Sequence, residues 1–260
     1  ECESCFFLKS KGKDLSTSVF DKKMSLYKDA NITFVGCSRW LSGRAKKSYL
    51  LRGKAVLSIP NPIDTKVYHP MDQGMARELL GLPSGKRLLL FGALNVTDKR
   101  KGIDYLIEAL RRMEKQDVEL VVFGQVKDDI RGLFPVPIHS MGYLSDESKI
   151  VALYNAVDMF ITSSLEENLP NTIMESMACG TPCVGFEIGG IPEMIDHRVN
   201  GYVANYKDAG DLANGIQWVL EHEDRLALSD ACVKKVQENY TEEVVAKQYT
   251  ALYEKLLKGE

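Results

Sequence analysis

The pattern between residues 157 and 193 constrains the fold of this chain more than any other stretch. Two apolar runs, residues 157–162 and 183–186, lack the alternation of half-exposed strands and are typical of strands buried on both faces of a parallel sheet. Between them, Asn171 offers a helix N-cap and Gly180 a left-handed helix stop. The stretch therefore predicts a strand, an acidic loop, a short helix, a second strand and a Gly-Gly turn within an α/β fold.

Two carboxylates flank the start of the predicted helix, because Glu167 and Glu175 stand eight positions apart. The N–H groups of a helix N-terminus, here near Asn171 and Thr172, can receive a phosphate. A carboxylate one turn away is suited instead to accepting hydrogen bonds from sugar hydroxyls. The combination favours a nucleotide sugar as ligand, at the edge of the sheet where open α/β folds bind their ligands. Taken alone, the spacing describes equally well two solvated charges around a helix start.

The same stretch carries a family resemblance. The sequence EENLPNTIMESMACGTPCV, followed by IGGIPEMI, resembles the donor-site signature of retaining GT-B glycosyltransferases of glycosyltransferase family 4 (group 1). Three further segments resemble motifs of that family in the expected order: PNPID at 60–64, KGIDYLIEAL at 101–110 and GYLSDE at 142–147. The resemblance implies a GT-B type α/β fold, in which two Rossmann-like domains face each other across a cleft.

Only one full set of alternating strands and helices is visible, and the chain begins with Glu1 rather than Met. We therefore expect the C-terminal portion of such an enzyme. The expected parts are a remnant of the N-terminal, acceptor-binding Rossmann-like domain (1–58), an interdomain linker (59–70) and a donor-binding Rossmann-like domain flanked by helices (71–238). Residues 239–260 are expected to form a C-terminal helix that packs back toward the first domain.

The resemblance also implies roles for individual residues. Glu167 would bind hydroxyls of the donor sugar and Glu175 the ribose, while Arg100 and Lys101 would neutralise the leaving diphosphate. Ala93 stands where the family carries an arginine, and we infer that Arg100 or Lys99 supplies this charge from the same loop. Backbone groups are expected to contact the nucleotide at Asn168, Leu169, Asn171, Thr172, Gly189 and Gly190. Gly92 and Gly124 are expected to permit its close approach. The ring of Tyr143 either packs against the base or belongs to the core.

The implied reaction is transfer of a sugar from a nucleoside-diphosphate-sugar to an acceptor hydroxyl, with retention of the anomeric configuration, in polysaccharide or glycolipid synthesis. The acceptor would be a sugar or a lipid-linked molecule. Because no Asp-x-Asp motif appears, we expect no required divalent metal, and no other cofactor. Two alternatives remain: a donor half that only binds nucleotide sugar, and a GT-B-like sugar-nucleotide 2-epimerase. A dinucleotide-dependent oxidoreductase is disfavoured, because no Gly-x-Gly-x-x-Gly follows a strand.

Composition limits the partners. A net charge of -3 gives no indication of a nucleic-acid partner. No apolar run approaches the roughly 20 residues that span a bilayer, and no signal peptide is visible, so the default expectation is a cytoplasmic protein. One basic cluster is either a solvated helix face or a contact with anionic lipid that would make the protein membrane-associated: Arg44, Lys46, Lys47, Arg52 and Lys54.

The six cysteines fall into two groups. Four occur in apolar or helical contexts and are predicted to be reduced core residues: Cys37, Cys179, Cys183 and Cys232. Cys2 and Cys5 form a Cys-x-x-Cys pair, for which a free pair, a disulfide and a metal site remain open. No second such pair exists to complete a structural zinc site.

Overall fold

The computed structural model describes residues 14–95, 98–113, 117–125 and 132–259. The chain separates into two compact units, Glu1–Ile59 and Pro60–Glu260. Residues 60–70, the expected linker, group with the second unit. Within that unit the backbone N–H of the buried Ile63 donates to the carbonyl of Tyr240 over 2.8 Å. The domain roles assigned from the resemblance stay predictions.

The first unit pairs two short parallel strands, β1 and β2, in one sheet. Ser38 caps the helix between them by accepting a hydrogen bond from the N–H of Leu41 over 2.9 Å. The elements in order are α1 (Ser16–Lys28), β1 (Thr33–Gly36), α2 (Arg39–Lys46), a 3-10 turn (Tyr49–Leu51) and β2 (Ala55–Ser58). Helix α1 was not predicted; its apolar stripe of Phe20, Met24 and Tyr27 is only half-buried, and no side chain of the helix is fully buried.

The second unit is built on a parallel six-stranded sheet with helices between the strands. The strands are β3 (Arg87–Asn95), β4 (Val118–Gln125), β5 (Ile138–Gly142), β6 (Met159–Thr162), β7 (Cys183–Phe186) and β8 (Gly201–Ala204). The helices are α3 (Gln73–Leu80), α4 (Ile103–Arg112), α5 (Glu147–Ala156), α6 (Asn171–Ala178), α7 (Ile191–Met194), α8 (Ala209–Leu220), α9 (Arg225–Asn239) and α10 (Glu242–Leu257).

The sheet order is β5-β4-β3-β6-β7-β8. The chain starts in the middle with β3, proceeds to one edge, returns to place β6 beside β3, and then proceeds to the other edge. This is the doubly wound order, in which the strand order reverses between β3 and β6. The predicted parallel sheet flanked by helices is confirmed. The reversal point is also where such folds open a crevice for a ligand at the carboxyl ends of the strands.

The central strands owe their apolar sequence to helices on both faces. Leu89 and Phe91 of β3 belong to one buried cluster, together with Met159 and Ile161 of β6. Helices α4 and α8 pack on this face through fully buried leucines and isoleucines. Each such side chain contributes about 1.5–3 kcal/mol when fully buried. The rigid sheet thereby fixes the places where the loops after β3, β6 and β7 emerge.

The start of α6 differs from the prediction. Pro170 occupies the N-cap position and makes no side-chain hydrogen bond there, while Asn171 is the first helical residue. The prediction that Asn171 caps the helix is therefore wrong: the extended Pro170 already turns the chain into it. Gly180 ends the helix at φ 77°, as predicted. None of the helices in the described ranges has the length and apolarity to cross a bilayer.

Candidate functional site

Three loops meet at the carboxyl edge of the sheet beside the reversal point. We call residues 98–102, after β3, the lysine loop. Residues 163–168, after β6, are the acidic loop, and Gly189 with Gly190, after β7, are the Gly-Gly turn. Because β3, β6 and β7 are neighbouring parallel strands, their carboxyl ends emerge side by side. Loops that are far apart in sequence are thus adjacent in space.

One ion pair joins the lysine loop to the acidic loop. Lys101 Nζ lies 2.6 Å from Glu167 Oε1, with the two side chains 34% and 15% exposed. A charged hydrogen bond in a half-buried setting is stronger and more directional than a fully exposed pair. The sequence predicted both residues for the site, and the structure brings them into contact at the reversal point.

Arg100 is close by but points at a different partner. Its guanidinium donates to both carboxylate oxygens of Asp98, with the shortest distance 2.6 Å, and its side chain is 68% exposed. These hydrogen bonds from Arg100 hold the pKa of Asp98 down to about 2. Asp98 also caps the lysine loop by accepting from the backbone N–H of Arg100 over 2.9 Å. Arg100 is therefore an exposed cation at the mouth of the site, held in place by Asp98.

Backbone contacts lock the acidic loop to the lysine loop. Ser163 Oγ donates to the carbonyl of Lys101 over 3.0 Å, and the N–H of Leu165 donates to the carbonyl of Arg100 over 2.7 Å. Gly102 adopts φ 63°, and a Cβ there would overlap the carbonyl oxygen of Ser163. Only glycine combines this backbone conformation with such close approach.

The Gly-Gly turn closes the acidic loop from the other side. The N–H of Gly190 donates to the carbonyl of Asn168. Gly189 adopts φ 59°, and a Cβ there would overlap the carbonyl oxygen of Glu167. The predicted residues Asn168, Gly189 and Gly190 are therefore brought together with Glu167, through the backbone.

Helix α6 begins directly after the acidic loop, so its N-terminus lies at the same edge. Asn171 is exposed and Thr172 half-buried in the first turn, whereas Leu169 is buried and anchors the loop in the core. The leading N–H groups of a helix carry partial positive charge and suit an anion. The structure thus places these three predicted residues on the chain segment that follows Glu167.

Glu175 lies one turn inside α6 and is half-buried. Its Oε2 accepts a hydrogen bond from the hydroxyl of Tyr154 over 2.8 Å. Burial raises the pKa of Glu175, the nearby carboxylate of Glu147 raises it further, and the bond from Tyr154 opposes the rise. Burial and Glu175 together raise the pKa of Tyr154 well above its usual value, so this hydroxyl stays a donor. Glu175 thus interacts with Tyr154 and Glu147, whereas Glu167 pairs with Lys101.

The remaining predicted residues, Gly92, Gly124 and Tyr143, have different structural roles. Gly92 is glycine because a Cβ would overlap the ring of Phe123, so packing between β3 and β4 explains it. Gly124 is buried at φ 114°, which favours glycine. Tyr143 is 66% exposed, so the alternative of a core tyrosine is wrong. It is available to contact a ligand after β5.

Some predictions concern residues outside the described part of the chain. Cys2 and Cys5 lie outside it, as does the side chain of Ala93. Cys179, Cys183 and Cys232 are buried free thiols, and Cys37 is half-buried. In residues 14–95, 98–113, 117–125 and 132–259, no three His, Cys, Asp or Glu side chains cluster as metal ligands would.

Sequence reasoning missed side chains that hold the site in place. Asp98 is the N-cap residue of the 3-10 turn Lys99–Lys101 in the lysine loop, and this position could have indicated its role. Tyr154 and Tyr206 contact the site from distant points of the chain. Nothing in the local sequence around either tyrosine indicates such a contact.

A doubly wound sheet with a cationic loop and an acidic loop at its reversal point defines the class of nucleotide-binding α/β domains. Within that class, the family model described as "Glycosyl transferases group 1" matches residues 85–222, more than half of the chain. The chain therefore belongs to the group 1 glycosyl transferases. This match contains all three site loops and α6.

Individual proteins support the same assignment. The N-acetyl-alpha-D-glucosaminyl L-malate synthase of Bacillus anthracis is 24% identical over 213 residues, which cover 80% of this chain and 55% of the relative. Sucrose-phosphate synthase from Thermosynechococcus elongatus shares the fold with TM-score 0.77 at 21% identity, covering 98% of this chain and 65% of that one. Anabaena Alr3699/HepE in complex with UDP-glucose gives TM-score 0.74 at 20% identity, covering 92% and 68%. The predicted GT-B fold class is confirmed, and the chain spans about half the length of the curated relative.

Proposed function

We propose that this chain carries the donor site of a retaining glycosyltransferase, which transfers a sugar from a nucleoside-diphosphate-sugar to an acceptor hydroxyl. The observation that carries the proposal is the Lys101–Glu167 ion pair at the reversal point of the sheet, 2.6 Å between Nζ and Oε1. It joins a cationic loop to a carboxylate loop beside a helix N-terminus. The UDP-glucose bound to the structurally similar HepE supports a nucleotide sugar as the ligand class.

Lys101 and Arg100 would stabilise the leaving diphosphate. The bond that breaks joins the sugar C1 to a diphosphate oxygen, and negative charge develops on that oxygen in the transition state. Fixed cations and backbone N–H groups aimed at developing charge supply the largest single contribution to such catalysis. Arg100, exposed at the mouth of the site, would exchange Asp98 for a phosphate, while Lys101 would exchange Glu167.

The two glutamates would divide the donor between them. Glu167, released from Lys101 by the diphosphate, would accept hydrogen bonds from sugar hydroxyls, and Glu175 would accept them from the ribose. Tyr143, exposed after β5, would contact the base. The backbone of Asn168 to Thr172 and of the Gly-Gly turn would surround the diphosphate. Gly124 would allow the nucleotide to approach the end of β4.

Retention follows from attack on the leaving-group side. The acceptor hydroxyl oxygen would form the new bond to C1 on the face that the diphosphate leaves, and its proton would pass to the departing diphosphate oxygen. We propose no protein nucleophile and no required divalent metal. The acceptor would be a sugar or a lipid-linked molecule of polysaccharide or glycolipid synthesis, encountered in the cytoplasm or at a membrane surface.

The test is sugar transfer from labelled UDP-glucose, GDP-mannose and ADP-glucose by the protein as its gene encodes it, with the product anomer assigned by NMR. Transfer with the α configuration retained would support the proposal, and an inverted product would contradict retention. Tight binding without transfer to any acceptor would favour the binding-module alternative. Conversion of the donor sugar without an acceptor would favour the 2-epimerase.

A further inference from the structure

Tyr206 contacts the acidic loop from the far edge of the sheet. It follows β8 and reaches past β7, where its ring packs edge-on against the buried Phe186 at 6.4 Å between centroids. Its hydroxyl donates to the carbonyl oxygen of Leu165 over 3.1 Å. The side chain thus links the loop after β8 to the loop after β6 without taking part in the Lys101–Glu167 pair.

Leu165 is held at both of its backbone groups. Its N–H donates to the carbonyl of Arg100 over 2.7 Å, and its carbonyl accepts from Tyr206. Leu165 lies two residues before Glu167 in the same short loop. Because consecutive peptide planes are rigid, fixing both groups of Leu165 restricts the directions in which Glu167 can leave the backbone.

The turn that carries Tyr206 is itself fixed. The N–H of Asn205 donates to Asp211 Oδ2 over 2.7 Å. Lys207 adopts φ 62°, a left-handed conformation that non-glycine residues rarely take, and its Nζ lies 5.0 Å above the Tyr206 ring. Strained residues of this kind persist where the surrounding structure holds them, often at functional sites. The Tyr206 ring therefore contacts both Phe186 and Lys207.

We infer that Tyr206 is a positioning residue, which acts through the Leu165 carbonyl to set the place of Glu167 for the donor sugar. The inference rests on the proposed function, because it assigns Tyr206 to the same site. Tyr206 is 42% exposed, so its hydroxyl could be satisfied by water if it had no structural partner to hold. The hydrogen bond is therefore not required to satisfy a buried hydroxyl, and its effect is to restrict the acidic loop.

Amide hydrogen exchange of the acidic loop tests the mechanical part. Tyr206→Phe keeps the ring, its packing on Phe186 and its contact with Lys207, and removes one hydroxyl. Loss of one such hydrogen bond is expected to speed exchange at Leu165 by about 3- to 10-fold. Tyr240→Phe is the matched control, because it removes a hydroxyl that donates over 3.1 Å to a different carbonyl, that of Glu193. Unchanged exchange at Leu165 in Tyr206→Phe, or an equal change in the control, overturns the inference.

Donor affinity tests the functional part. Calorimetry with UDP-glucose, GDP-mannose and ADP-glucose first identifies the sugar nucleotide that binds the wild type most tightly. Tyr206→Phe should weaken it by about 3- to 10-fold in the wild-type background and by less than about twofold in the Glu167→Gln background. Equal weakening in both backgrounds overturns the link to Glu167. No binding of any of the three to the wild type contradicts the proposed function instead, and the exchange experiment then still decides whether Tyr206 holds the loop.

Discussion

Lys101 is oriented by the residue that follows it. Gly102 turns the chain at φ 63° directly beneath the carbonyl of Ser163, which lets the lysine loop lie against the acidic loop. The distance of 2.6 Å between Lys101 and Glu167 depends on that approach. At the scale of the residue, the site is therefore set as much by glycines as by charges.

Gly102→Ala should destabilise the protein and weaken nucleotide binding together. A non-glycine residue in the left-handed region costs about 1–3 kcal/mol, and the methyl group must also displace the Ser163 carbonyl. Gly85→Ala is the control, because a Cβ at Gly85 meets nothing within 4 Å. Chemical denaturation gives the free energy of unfolding of both variants, and calorimetric titration gives their nucleotide affinity. Equal free energies of unfolding for the two variants would contradict the close approach of the loops.

Glu175 gives a prediction for pH. Burial raises the pKa of Glu175 in the folded state above its unfolded value, so the folded protein binds more protons between these two values. Stability therefore falls as pH rises through that window, and this loss persists at neutral pH. Glu175→Gln removes this loss of stability and should raise the melting temperature relative to wild type more at pH 7.5 than at pH 4. The same substitution should weaken nucleotide binding.

The control for this pH effect is Glu221→Gln. Glu221 is exposed and accepts a hydrogen bond from Gln217 over 2.8 Å. Because its carboxylate is exposed, its replacement should change the melting temperature at pH 7.5 by less than the replacement of Glu175 does. A difference between Glu175→Gln and wild type that does not grow with pH would show that Glu175 carries no burial penalty.

The sequence identifies charged site residues better than their supports. Glu167, Glu175 and Lys101 stand in motifs whose spacing can be read directly. Tyr154 and Tyr206 contact those motifs from 21 and 41 positions away, through one hydroxyl each. Such contacts depend on the order of strands in the sheet, which no local pattern contains.

Among the elements, buried strands were predictable and α3 was not. Strands β6 and β7 are covered on both faces and so appear as uninterrupted apolar runs. Helix α3 reverses the usual pattern, because it buries Arg77 and exposes Met75 and Leu79. Hydrophobic periodicity cannot indicate a helix whose inward side chain is an arginine.

Arg77 shows why that reversal is stable. Its Nε donates to the carbonyl of Ala156, its NH1 to three carbonyls between residues 83 and 86, and its NH2 to the buried Asp158. A buried guanidinium with an acceptor at each of its three nitrogens joins α3 to the amino ends of β3 and β6. This edge of the sheet is opposite the three site loops.

Arg77→Met should destabilise the second unit strongly while leaving nucleotide affinity unchanged in the folded protein. Removing one partner of a buried ion pair costs about 3–5 kcal/mol. Arg87 and Arg225 also contact Asp158, at 3.3 and 2.7 Å, and keep the cost of Arg77→Met toward the lower end. Arg112→Met is the control, since Arg112 pairs with Glu108 on the exposed face of α4 and should cost less than about 1 kcal/mol. Denaturant titration measures the free energy of unfolding of the two variants. A loss below about 1 kcal/mol for Arg77→Met would show that Arg77 is dispensable.

For the molecule as a whole, the order of strands creates the site. The lysine loop and the acidic loop are separated in sequence by α4, β4, β5, α5 and β6, and they meet because β6 returns to the side of β3. The sequence alone predicts strands and helices but not their order. The family resemblance implied a Rossmann-like domain, and the doubly wound order of the sheet agrees with it.

The central claim is that the Lys101–Glu167 edge of the sheet binds the diphosphate of the donor. The most direct measurement is calorimetric titration with UDP, GDP and ADP of wild type, Lys101→Gln and Lys234→Gln, the last an exposed lysine of α9 that lies 3.9 Å from Glu238. Loss of a hydrogen bond to a charged group should weaken the best nucleoside diphosphate by about 10- to 100-fold in Lys101→Gln and by less than about twofold in Lys234→Gln. Affinity in Lys101→Gln within about twofold of wild type would place the diphosphate elsewhere and contradict the claim.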